Sequence, residues 1–156
     1  MNKVSIRRDN FAAIRAQAER EYPYECCGFV IGGAQTEEVR PIANIQNEKH
    51  AGDPTAHPRD ARTAYLMDPR AQIAVLSEVD RRGLTLRIVY HSHPDHDAYF
   101  SDTDRRQACA FDPDQPDYPD TAYVVLSIRN GQFSRAAAFA WDEVSREFVE
   151  VELVET

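Results

Sequence analysis

The chain has 156 residues, and 26 acidic against 18 basic side chains leave a net charge of -8. That length suits one domain, residues 1–156, with a core that needs no disulfide or metal staples. The acidic balance, with no Lys/Arg cluster larger than Arg81-Arg82 or Arg105-Arg106, argues against nucleic acid and anionic lipid as partners. No apolar run approaches the roughly 18 residues of a membrane helix. The start, Met1 to Arg8, lacks the apolar core of a signal peptide, so no membrane association and a cytoplasmic location are expected. Cys26, Cys27 and Cys109 are an odd set with two adjacent members, which is not a disulfide framework.

In chain order, Asp9 is placed to cap a helix running to about Tyr22, with Phe11, Ile14, Ala18 and Tyr22 on one face. Pro23 ends it. Cys26 to Gly32 is a short apolar run between turn signals and reads as a buried strand. A second strand is expected over Val39 to Ile45. Asn47 to Asp68 is polar, with Gly52, Pro54 and Pro58, and reads as a long loop of the kind that is often functional. Asp68-Pro69 opens a helix to about Arg82, with Ile73, Leu76 and Val79 expected inward and Gly83 as its stop.

Leu84 to His91 is the next predicted strand, and Ser101 opens a short helix to about Phe111. Asp112 to Asp120 holds four Asp and three Pro in nine residues and must be a loop. Thr121 to Arg129 and Gln132 to Trp141 are strands joined by Asn130-Gly131, a strong hairpin signal. Phe148 to Val154 alternates apolar and acidic residues and reads as a half-exposed last strand. The order is helix, two strands, helix, strand, helix, three strands. It predicts an α/β fold: a mixed curved sheet flanked by helices.

One segment carries chemistry: His91-Ser92-His93-Pro94, then Ser101, then Asp104. His91 and His93 lie two positions apart at a strand end, so their side chains share a face. Asp104 sits one turn into the helix that Ser101 opens. Two imidazole nitrogens and one carboxylate oxygen suit a first-row divalent ion, zinc above all. Three protein ligands leave the fourth position to water, the catalytic pattern. A competing reading needs no metal: Ser101 is a good N-cap, and Asp104 stands at the capping-box spacing. A thiol mechanism through Cys27 is disfavoured because its apolar run marks a small buried hydrophobe. His50, His57 and His96 read as loop histidines, with His96 near enough to touch substrate.

The string His-x-His-Pro-x6-Ser-x2-Asp resembles the JAMM signature of the JAB/MPN metallopeptidases at each defining position. Glu25 before Cys26-Cys27-Gly28 is similar to the Glu-x-Cys-Gly opening of small prokaryotic stand-alone members. The resemblance implies a JAB/MPN fold with cytidine-deaminase-like layering. It implies one Zn2+ per chain held by His91, His93 and Asp104. Glu25 would act as general acid/base on the metal-bound water, and Ser101 would donate to the tetrahedral oxyanion. The implied substrate is a peptide or isopeptide bond at the C-terminal Gly-Gly tail of a ubiquitin-like or sulfur-carrier protein. The rivals are a noncatalytic MPN scaffold and a peptidoglycan or phage-tail peptidase with the same metal chemistry. Residues 65–67 read first as a packed loop end and the acidic loop at 112–120 as a solvated one; shaping a substrate groove is the alternative for both.

Overall fold

The computed structural model describes all residues, Met1–Thr156. Its elements are β1 (Lys3–Ile6), α1 (Arg8–Glu21), β2 (Cys27–Gly32), β3 (Glu37–Ile42), α2 (Gln46–Gly52) and α3 (Pro69–Arg82). They continue with β4 (Thr85–Pro94), α4 (Asp102–Ala108), β5 (Ala122–Arg129), β6 (Gln132–Asp142) and β7 (Glu147–Glu155). The seven strands form one sheet in the order β1-β7-β6-β5-β4-β2-β3. The pairs β1·β7 and β4·β5 are parallel and the others antiparallel. The α/β class and the mixed sheet agree with the sequence reading. No helix is long and apolar enough to cross a membrane.

Alternation along the central strands divides the interior into two cores. Val30, Ile88, Tyr90, Val124 and Leu126 face one side, where Phe11, Ile14 and Ala18 of α1 cover them. Phe29, Ile31, Val89 and Val125 face the other, covered by Val79 of α3, Ala108 of α4 and the segment holding Tyr65 and Met67. His91 and His93 continue the parity of Val89, so both fall on the second side.

Several local signals act as expected. The Asp68 side chain accepts the Arg70 N–H, and Gly83 stops α3 in the left-handed conformation at φ 64°. Asn130 and Gly131 both take positive φ, as the tight hairpin requires.

Other expectations change. Lys3–Ile6 is a strand, absent from the sequence reading because four residues carry too little pattern; it pairs with β7 149 residues away in register, Ile6 opposite Glu155. The second strand starts and ends earlier, at Glu37–Ile42. The loop at 47–68 contains α2 at its start. Asp9 is inside α1, whose N-cap is Arg7 with no side-chain cap. Ile73 points outward and is 64% exposed, whereas Val79 is buried.

The site end of the sheet is set by β2 and β4. They run antiparallel with Cys27 opposite His91, so the entry of β2 lies beside the exit of β4. Gly28 stands opposite Tyr90. A Cβ on Gly28 would come within 2.3 Å of the Tyr90 hydroxyl and 2.7 Å of the Arg40 carbonyl. Only glycine permits that approach. The Tyr90 hydroxyl then donates to the Gln17 side chain of α1, which also donates to the Cys27 carbonyl.

Candidate active site

The sheet brings Glu25 to the two histidines although 66 positions separate Glu25 from His91. Ser92, the residue between the histidines, makes the join. Its hydroxyl accepts the Cys26 N–H at 2.8 Å, and its own N–H donates to the Cys26 carbonyl at 3.1 Å. Glu25 is anchored from outside as well, its N–H donating to the Ala61 carbonyl at 2.7 Å and its carbonyl accepting from the Asn44 amide at 2.9 Å.

Glu25, His91, His93 and Asp104 are all buried, at 4%, 0%, 6% and 5% exposure. A carboxylate oxygen of Glu25 and ring nitrogens of His91 and His93 lie within 4.8 Å of one another. The His91 and His93 Nε2 atoms are 3.1 Å apart. Asp104 Oδ1 is 3.2 Å from His91 Nε2, and Oδ2 is 3.3 Å from His93 Nε2. Atoms bound to a tetrahedral zinc at about 2.0–2.2 Å lie about 3.3–3.6 Å from one another, so this spacing is close to the edges of such a site.

The tautomers support the same fit. His93 Nδ1 sits 2.8 Å from the Asp97 carbonyl. A carbonyl only accepts, so Nδ1 carries the hydrogen and Nε2 of the neutral ring presents a bare lone pair. That lone pair faces a carboxylate oxygen, another acceptor. The pairing needs a positive charge between them, a proton or a metal ion. His91 has no partner at Nδ1; it is held instead by the Tyr65 ring, stacked with centroids 4.6 Å apart. Burial holds the His91 imidazole below its ordinary pKa, against the pull of Asp104. A neutral imidazole is the ligating form.

The capping box and the metal reading coexist. Asp104 Oδ2 accepts the Ser101 N–H at 3.0 Å, and Ser101 Oγ accepts the Asp104 N–H at 3.0 Å. Oδ1 remains for His91, and the Ser101 hydroxyl proton remains free to donate. Burial pushes the Asp104 carboxyl up, but His91, His93 and the Ser101 N–H together hold it well below the usual range. Glu25 goes the other way: burial first, then the Asp104 charge, raise it well above an ordinary glutamate, with Arg59 opposing. The same pocket thus lowers one carboxyl and raises the other.

Glu25, His93, Asp104 and Ser101 open into a cleft of about 390 Å³. His91 lies beneath them, under Tyr65. His96 lines the same cleft, as the sequence allowed, whereas His50 and His57 bond each other elsewhere, His50 Nδ1 lying 2.7 Å from the His57 carbonyl. Arg59 and Gln107 also line the cleft; neither belongs to a local pattern in the sequence, so no spacing signals them. Gln107 donates to the Tyr65 carbonyl at 2.6 Å and so ties α4 to the stacking tyrosine.

The cysteines are buried and free. Burial pushes the Cys26 thiol up to about 12 and Cys27 well above its ordinary value. Cys27 donates to the Ile42 carbonyl, so neither presents a thiolate nucleophile. Tyr65 and Met67 are packed into the core and, with Leu66, Ile73 and Phe111, line a neighbouring apolar groove. Acids of the 112–120 loop serve the loop's own backbone: Asp112 accepts the Asp114 N–H, and Asp117 accepts those of Ala110 and Phe111.

Residues 7–144 match the family model described as prokaryotic homologs of the JAB domain. A protein of Thermus thermophilus named as a probable TtuB-protein conjugate cleaving protease is 37% identical over 94 residues, 60% of this chain and 55% of that protein. The match thus spans little more than half the length of that relative. A CysO-cysteine peptidase of Mycobacterium tuberculosis is 30% identical over 125 residues, 80% of this chain and 73% of that protein. A solution structure from Desulfitobacterium hafniense superposes with a TM-score of 0.69 at 21% identity, covering 98% of this chain and 92% of that one. A JAB1/MPN domain protein of Archaeoglobus fulgidus gives 0.51 at 16%, covering 98% and 99%. Both structural likenesses concern the fold.

Proposed function

The chain belongs to the prokaryotic homologues of the JAB domain, and from that premise we propose that it is a zinc-dependent metallopeptidase. Its substrate would be a peptide or isopeptide bond at the C-terminal Gly-Gly tail of a ubiquitin-like or sulfur-carrier protein. The observation that carries this reading is the convergence of Glu25, His91 and His93 within 4.8 Å, with Asp104 on the same two nitrogens. The names of the Thermus and Mycobacterium relatives, a probable TtuB-protein conjugate cleaving protease and a CysO-cysteine peptidase, support the substrate class.

His91, His93 and Asp104 would hold the zinc, which when bound supplies Lewis acidity and a water acidified towards pKa ~7. Glu25 takes a proton from the attacking water and returns it to the leaving nitrogen. Its raised pKa suits both halves of that task. The Ser101 hydroxyl, free as a donor, stabilises negative charge developing on the carbonyl oxygen. Tyr65 and the Asp97 carbonyl fix the two imidazoles from behind. A noncatalytic scaffold would not need Glu25 buried beside the histidines. Cleavage of a Gly-Gly-linked ubiquitin-like fusion by zinc-loaded protein, abolished by chelator and restored by zinc, is the expected result; zinc-independent cleavage would overturn the reading.

A further inference from the structure

Arg59 is the one arginine or lysine lining the catalytic cleft. None of the chain's ion pairs uses it, and no side-chain hydrogen bond within the chain occupies its guanidinium. Its backbone, by contrast, is pinned. The Arg59 carbonyl accepts from the buried Gln46 side chain at 2.8 Å, and the Ala61 N–H donates to Asn47 Oδ1 at 2.8 Å. The Ala61 carbonyl in turn accepts the Glu25 N–H at 2.7 Å. The same three-residue segment therefore fixes both Arg59 and the entry to Glu25.

This placement bears on the leaving group. The inference rests on the peptidase reading above, in which water adds to the scissile carbonyl carbon, the C–N bond breaks, and Glu25 delivers a proton to the departing nitrogen. The leaving nitrogen must then touch Glu25. In an α-amino acid the carboxylate carbon is two bonds from that nitrogen, whereas a lysine ε-nitrogen is followed by four methylenes. A free guanidinium that shares the cleft with Glu25 and lies near enough to act on its charge is placed to meet the first and not the second. We infer that Arg59 binds the α-carboxylate of a single C-terminal amino acid released from the Gly-Gly tail, and so sets the enzyme's preference for trimming a terminal residue over cutting an isopeptide. The planar fork of arginine suits a carboxylate in a two-bond contact.

The test uses full-length, zinc-supplemented protein and three decapeptide-based probes. One ends in Gly-Gly-Ala with a free carboxylate, one is its C-terminal amide, and one joins the Gly-Gly acyl chain to a lysine ε-amine. The wild type should cut the free acid about 10- to 100-fold better than either other probe, mainly through KM. Arg59→Ala should collapse that ratio towards one, and Arg59→Lys should keep part of it. Equal cleavage of all three by wild type, or an undiminished ratio in Arg59→Ala, overturns the assignment and leaves the peptidase reading standing. Cleavage of none overturns the peptidase reading for these tails. A binding arm still decides Arg59 in that event: on Glu25→Gln protein, Gly-Gly-Ala acid should bind at least about 10-fold tighter than its amide by NMR titration. Equal binding overturns the assignment.

Discussion

The Ser92 hydroxyl accepts the backbone N–H of Cys26 at 2.8 Å, and both residues are fully buried. This bond sits between the two histidines on one strand and next to Glu25 on the other. It converts a sheet pairing into an active-site distance. Ser92→Ala leaves the buried Cys26 N–H unsatisfied, at a cost of about 1–3 kcal/mol. Urea unfolding should show that loss. Cleavage should fall through kcat more than KM, because Glu25 loses its registration while the cleft keeps its walls. An unaltered midpoint and unaltered kcat would remove Ser92 from this role.

Gly28→Ala should destabilise the fold strongly. The added methyl meets the Tyr90 hydroxyl at 2.3 Å and the Arg40 carbonyl at 2.7 Å, and overpacking of this kind costs about 1–3 kcal/mol or more. Adding Tyr90→Phe should recover only part of the loss in a denaturant titration, because the Arg40 carbonyl is backbone and cannot step aside.

Removal of metal should lower thermal stability. An ion bound by the native state alone stabilises it by mass action, about 2.7 kcal/mol at a hundredfold excess over Kd. Calorimetry with chelator should show a fall in Tm that zinc reverses. His91→Ala should start at the lower Tm and respond to neither.

Acid should weaken the link between α1 and β3. Burial raises the Glu37 carboxyl, but the Asn10 side chain, the Arg7 N–H and Arg87 together bring it below its ordinary value of 4.5. A carboxylate depressed in the folded state contributes stability that is present above the unfolded value and lost as pH falls through the folded one. Glu37→Gln should therefore cost most at neutral pH. The difference from wild type should shrink below about pH 4.5 in parallel unfolding curves. A constant difference across that range would contradict the assignment.

The candidate site was legible where chemistry is written locally. His91 and His93 needed only the two-residue strand period, and Ser101 with Asp104 only one helical turn. Glu25 could be named through resemblance, but its approach to the histidines depends on β2 pairing with β4, which no local spacing encodes. Arg59 was invisible for the same reason: it reaches the cleft through a loop pinned by Gln46 and Asn47. In the fold, strong stops such as Gly83 and Asn130-Gly131 marked their elements. β1 escaped because a four-residue edge strand draws its stability from β7, and Ile73 escaped because helical period fixes a stripe but not which of its members the sheet covers.

Hydrolysis turns most directly on Glu25. Glu25→Gln keeps size and shape and removes the proton carrier. The measurement is metal content together with cleavage of a Gly-Gly-linked substrate by the same preparation. The variant should keep about one zinc per chain, as three ligands outside Glu25 require, while cleavage falls by about 100-fold or more. A variant that retains zinc and cleaves as fast as wild type would contradict the mechanism.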